Sequence, residues 1–104
     1  MEKVIKDGKV AVLISTGFGA GWYTWNTEHQ QLLFHPKLVE MVEQGKQDLI
    51  DEEWLSENLG IDDVYCGGAV DLEIYWLPIG TAFTVEDYDG SETLRTTDDL
   101  NIVA

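Results

Sequence analysis

At 104 residues the chain is too short for more than one domain of ordinary size, so residues 1–104 are read as a single domain. A hydrophobic fraction of 44% is enough for a packed core and excludes wholesale disorder. A net charge of −14, from 20 Asp and Glu against 6 Lys and Arg, removes the basic footprint that nucleic-acid phosphates require and disfavours anionic membrane surfaces.

Residues 2–6 and 9–15 read as two strands joined by Asp7-Gly8, a dipeptide that accepts the positive φ of a tight hairpin turn. The run Val10-Ala11-Val12-Leu13-Ile14 is apolar on both faces and belongs at the centre of a sheet. Residues 17–26 follow, with three glycines in five residues and then three aromatics in four. Within them, residues 22–25 alternate loosely and could form a short strand, and residues 31–34 read as another strand or extended segment.

Two helices come next. Pro36 suits a first helical position, where its missing N–H costs nothing. Leu38, Val39, Met41 and Val42 form the apolar face of this helix, and Gly45 ends it in a left-handed cap. Asp48 or Asp51 caps the second helix. Its buried stripe is Ile50, Trp54, Leu55 and Leu59, and Gly60-Ile61 close it in the manner of a Schellman motif.

The remainder reads as sheet. Residues 64–66 form a short strand before Gly67-Gly68. Residues 71–77 alternate, with Leu72, Ile74 and Trp76 on one face. Residues 78–80 turn into a strand over 81–88, Asp89-Gly90 makes a second hairpin, residues 92–96 return, and residues 101–103 form an edge strand. The expected fold class is α+β: a largely antiparallel sheet of five to six strands, with two consecutive helices inserted between an N-terminal hairpin and C-terminal strands.

The glycine–aromatic stretch is the strongest candidate for recognition. It matches neither the phosphate loop G-x-x-x-x-G-K-S/T nor the dinucleotide fingerprint G-x-G-x-x-G, and no Lys or Arg occurs from Val10 to Gln31. Two readings stay open. Backbone amides at Gly17, Gly19 and Gly21 could form an anion nest while Trp22, Tyr23 or Trp25 stacks on a ring. Alternatively, the glycines turn a corner that folds large aromatics back into the core. Arg95, the single arginine, is either one half of a surface ion pair or an anion clamp.

Other constellations are weaker. Residues 86–92, Glu-Asp-Tyr-Asp-Gly-Ser-Glu, fail the EF-hand spacing and read as a solvent-facing hairpin. His29 and His35 lack a third ligand at metal spacing, so no metal site is expected. Ser15-Thr16 matches no nucleophile elbow. A pairing of Cys66 with a histidine stays open, as does simple burial of its thiol. The acidic pairs Asp62-Asp63 and Asp98-Asp99 read as solvated or capping. No catalytic residues and no cofactor are assigned.

Cys66 is the single cysteine, so no intrachain disulfide forms and a reducing, cytosolic setting is expected. The opening Met-Glu-Lys-Val-Ile-Lys lacks a signal peptide's apolar run, and no apolar stretch approaches the roughly 20 residues that span a bilayer. A short chain buries only roughly 60–70% of its unfolded surface, so self-association would help it, and a homo-oligomer is expected. The acidity has two readings: solubility at high concentration, or imitation of a nucleic acid's charge to occupy a basic host protein.

Several blocks together resemble a known group. They are residues 12–26, Leu32-Leu33-Phe34, the turn Tyr65-Cys66-Gly67-Gly68, and residues 77–81 through 87–92. The chain is similar along most of its length to small accessory proteins of tailed phages and prophages, a group without assigned chemistry. GFGAGWxTWN and EDYDGSE are the distinctive strings. The resemblance implies a protein made in the cytoplasm of an infected host and acting by occupation in host takeover or anti-defence. The first expectation is a non-enzymatic binder that sequesters a nucleotide-derived signal, using Gly17, Gly19, Gly21, Trp22, Tyr23, Trp25 and Arg95. The alternatives are an acidic inhibitor of a basic host defence protein and a small hydrolase of a nucleotide signal.

Overall fold

Asp7-Gly8 turns the chain as those residue types require. In the computed structural model, which describes residues 2–96 and 102–104, φ is 53° at Asp7 and 75° at Gly8. Both positive angles belong to a type I′ turn, whose twist matches the flanking strands. Strands β1 (Ile5–Lys6) and β2 (Lys9–Ser15) pair antiparallel across it, with Lys6 opposite Lys9. The β1 ladder is shorter than residues 2–6, although the Ala11 amide still donates to the Val4 carbonyl at 2.9 Å.

The doubly apolar run takes the central position. β2 lies between β1 and β3 (Leu72–Pro78), antiparallel to both, and Val10 through Ser15 are all buried. A second antiparallel sheet has β4 (Ala82–Tyr88) at its centre, between β5 (Ser91–Thr96) and β6 (Ile102–Val103). Asp89 and Gly90 turn β4 into β5 with φ of 51° and 86°.

The strands thus form two three-stranded sheets, which corrects the single sheet of five to six strands. The division falls at residues 78–81. The Gly80 amide donates to the Ala104 carbonyl at 2.8 Å, and the Ala104 amide donates to Thr81 at 3.0 Å. β5 and β6 then occupy both edges of β4, leaving β3 no edge of β4 to pair with. Of the edge strand expected over 101–103, Asn101 lies outside the described residues, as does the Asp98-Asp99 pair.

Three helices lie between β2 and β3, within the first sheet's stretch of sequence: α1 (Gln31–Phe34), α2 (Pro36–Glu43) and α3 (Glu52–Leu59). α1 replaces the strand expected over 31–34. Leu32, Leu33 and Phe34 are all enclosed, so the segment carries no alternation, and turns at Asn26–His29 and His29–Leu32 lead into it. Residues 22–25 likewise form no strand, since Tyr23–Trp25 is a single 3-10 turn. Residues 64–66 are irregular.

α2 begins at Pro36, and His35 caps it by accepting the Lys37 amide at Nδ1 (3.1 Å). It ends in a Schellman motif: Lys46 N–H to Met41 O at 2.8 Å and Gly45 N–H to Val42 O at 3.0 Å. Asp51, rather than Asp48, caps α3 by accepting the Trp54 amide at 2.8 Å. At its far end Gly60 makes one bond, to Ser56, and so forms the simpler left-handed cap in place of the expected Schellman pair. Phe34 meets Phe83 edge-on at 6.2 Å between ring centroids, joining the helical layer to the second sheet. Among the described residues no helix is long and apolar enough to cross a membrane.

Candidate functional site

The two distinctive strings meet in space. Residues 17–26 leave the end of β2 and lie against the β4–β5 hairpin. Gly19 takes φ of 99°, a conformation that suits glycine, and its amide donates to the Asp89 carbonyl at 2.6 Å. The Ser91 hydroxyl donates to the Thr16 carbonyl at 2.9 Å. Gly17 packs against the Asp71 side chain, and a Cβ on Gly21 would lie 2.6 Å from Cδ1 of Trp25. Close packing accounts for Gly17 and Gly21, and the positive φ accounts for Gly19, where a Cβ would meet nothing within 4 Å.

Glu92 closes this arrangement from beneath. It is 1% exposed, yet its carboxylate is well supplied with donors. Oε1 accepts the Ser15 amide at 3.0 Å. Oε2 accepts the Trp22 amide at 3.1 Å and both the amide and the hydroxyl of Thr24 at 2.7 Å. An ionised group in so dry a place is tolerated only with such charge-assisted bonds. The expected anion nest therefore exists in altered form: its amides belong to Ser15, Trp22 and Thr24, and its anion is the protein's own carboxylate. Residues 86–92 are accordingly not a wholly solvent-facing hairpin.

The three aromatics divide. Trp22 is 0% exposed, and its indole N–H donates to the Leu32 carbonyl at 2.9 Å. This corrects its expected role as a stacking platform, because no ligand can reach a ring enclosed by its own subunit. Tyr23 is also buried, its hydroxyl 3.4 Å from the Thr27 carbonyl, and burial raises its pKa, offset in part by Gln30.

Trp25 faces outward. It is 45% exposed and stacks on Tyr65, itself 50% exposed, with centroids 5.0 Å apart and planes 29° from parallel. Its indole N–H donates to Oδ2 of Asp87 at 2.6 Å. That oxygen is also 3.1 Å from the Thr24 hydroxyl, whose one proton is taken by the shorter contact to Glu92. The side chain of Asn26 fixes the second ring. It donates to the Trp22 and Tyr65 carbonyls at 2.8 and 3.0 Å and accepts the Tyr65 amide at 3.0 Å, as a neighbouring strand would. Two aromatic rings are thus held from both sides on an acidic surface. Phe18 and Tyr88 are exposed as well.

Arg95 pairs with Glu86 at 3.0 Å, both well exposed, which fits the ion-pair alternative. Such a pair is worth roughly 0–1 kcal/mol. The sequence reading missed Tyr65, Asp87, Asn26 and Glu92. Asn26, Asp87 and Glu92 lie inside the two distinctive strings and Tyr65 in the turn at residues 65–68, but nothing local joins these stretches to one another.

The remaining candidates carry no catalytic arrangement. Burial, followed by the charges of Glu52 and Asp51, pushes the Cys66 thiol up to about 11, so it is protonated and a poor nucleophile near neutrality. His35 caps α2 and His29 lies 3.8 Å from Glu28. Among the described residues no three His, Cys, Asp or Glu side chains converge as metal ligands. Three surface hollows of about 240, 360 and 280 Å3 are lined by other parts of the chain and by none of residues 17–26. No family model matches this chain, and neither do the curated proteins or the solved structures compared with it.

Proposed function

We propose that this protein is a non-enzymatic binding protein that docks a basic protein surface through the Trp25–Tyr65 pair. The observation that carries this reading is the pair itself: two half-exposed rings, locked by Asp87 and Asn26, on a chain of charge −14. Preorganised aromatics lose little side-chain freedom on binding, and they are over-represented among residues that dominate interface energies. The Asp87 carboxylate against Trp25 and the net charge of −14 suit Lys and Arg side chains, whose cationic heads also sit well on indole and phenol faces. Accessory service to a tailed phage, by occupying a host defence protein in the host cytoplasm, is the setting that the resemblance suggests for such a binder.

Sequestration of a nucleotide-derived signal at residues 17–26 is the weaker reading. Phosphates there would need amide donors, and the amides of Gly19, Trp22 and Thr24 are already engaged by Asp89 and Glu92. Calorimetry against cyclic dinucleotides tests it, and saturable binding lost in Trp25→Ala would restore it.

The test of the leading reading is affinity capture from host lysate with wild type and a Trp25→Ala/Tyr65→Ala variant, at low and high salt. A basic protein held by wild type, lost by the variant and released by salt supports docking. Capture indifferent to the variant or to salt, or no capture at all, overturns it. Light scattering on the same preparations tests the homo-oligomer.

A further inference from the structure

A second feature lies elsewhere, on the β1–β2–β3 sheet. Lys6 and Lys9 stand directly opposite each other across the first hairpin. Like charges in that relation destabilise a sheet, and the chain has only 6 cationic side chains in all. Lys9 and Ala11 are two residues apart on β2 and share a face, and Ala11 is the register partner of Trp76 on β3. A lone methyl group at Ala11 leaves room between the lysines and the indole. The result is a hollow of about 360 Å3 lined by Lys6, Asp7, Lys9 and Trp76. The Lys6 ammonium lies 5.5 Å from the Trp76 ring centroid and 3.1 Å from Glu43 at the end of α2. Lys9 makes no ion pair among the described residues.

We infer that this hollow binds a small planar aromatic anion, its ring lying along Trp76 and its phosphate or carboxylate meeting Lys9 and Lys6. Volume limits the ligand: ligand pockets run from roughly 300 to 1,000 Å3, so a single ring system with one anionic group fits and a dinucleotide does not. Charge limits it too. Asp7 at the rim and Glu43, the ion-pair partner of Lys6, repel an anion that approaches from their sides, leaving Lys9 as the principal anchor and Lys6 as the second. This site shares no residue with the Trp25–Tyr65 surface, so either can fail without the other.

The experiment is a titration of the full chain followed by the indole N–H resonances in 1H–15N spectra, with the Trp76 signal assigned through Trp76→Phe. The probes are adenosine monophosphate, indole-3-acetate, adenosine and inorganic phosphate. Saturable movement of the Trp76 resonance by either aromatic anion, weaker with adenosine and absent with inorganic phosphate, supports the site. Response to one aromatic anion alone distinguishes a phosphate ligand from a carboxylate one. Lys9→Glu, and Lys9→Gln should the first variant fold poorly, should each weaken binding roughly tenfold or more. No saturable movement with either anion, equal response to adenosine, or binding unchanged in the Lys9 variants overturns the inference.

Discussion

Oε2 of Glu92 lies 2.7 Å from both the backbone nitrogen and the hydroxyl oxygen of Thr24. With the Ser15 and Trp22 amides, these contacts make one buried carboxylate the anchor of the whole glycine–aromatic segment. Glu92→Gln keeps the shape but turns an NH2 group toward an amide donor. It should cost about 2–4 kcal/mol and lower the melting temperature by on the order of 10 °C. Urea unfolding measures this, and a loss below about 0.5 kcal/mol would mean the carboxylate is not an anchor.

The two Asp-Gly turns offer a matched comparison. Gly8 and Gly90 have similar angles, 75° and 86°. A Cβ on Gly8 would meet nothing within 4 Å, whereas one on Gly90 would lie 2.8 Å from the carbonyl carbons of Gly19 and Ala20. Gly8→Ala should cost only the left-handed strain, roughly 1–2 kcal/mol. Gly90→Ala should cost that and a further 1–3 kcal/mol or so, because backbone must move. Equal losses in chemical denaturation would show that the loop does not press on the hairpin.

His35 gives the α2 cap a pH dependence. Burial and then Lys37 lower its pKa from 6.5, with Glu2 opposing. Its neutral Nδ1 is the cap acceptor. A histidine with a lowered folded value contributes stability above pH 6.5 that is lost as pH falls through that folded value. His35→Asn keeps a cap acceptor that does not titrate there. Wild type should therefore lose stability relative to this variant between neutral and mildly acidic pH, and parallel thermal-melt profiles would refute the assignment.

Cys66 works in the opposite direction. Its thiol rises from 9.0 to about 11, so the folded state keeps a proton that the unfolded chain gives up first. Its contribution is complete below pH 9.0 and is lost as pH rises through about 11. Tyr23, also raised, adds to the same alkaline loss. Iodoacetamide should label the folded protein at mildly alkaline pH on the order of a hundredfold more slowly than the chain in urea. Equal labelling rates would place the thiol in open solvent.

Much of the secondary structure was legible because its causes are local. Two Asp-Gly pairs, Pro36, Gly45, Asp51 and Gly60 each act within a few residues, and Val10 to Ile14 announce a central strand by being apolar on both faces. Leu32-Leu33-Phe34 was misread because three enclosed neighbours show no period. The division into two sheets depends on Ala104 meeting residues 80 and 81, a contact between distant parts of the chain. Trp22 and Trp25, three residues apart, could not be told from each other as inward and outward rings. The difference lies in Leu32 and Glu92. Glu92 is one of 20 acidic residues, and only its distant partners distinguish it.

The donors that hold Glu92 lie 68 to 77 residues before it. Contacts of such long separation close late in folding. A nascent chain that has formed its first hairpin and all three helices still lacks the carboxylate that sets Trp22 inward and Trp25 outward. The backbone that carries both rings is therefore anchored only after β5 has been made.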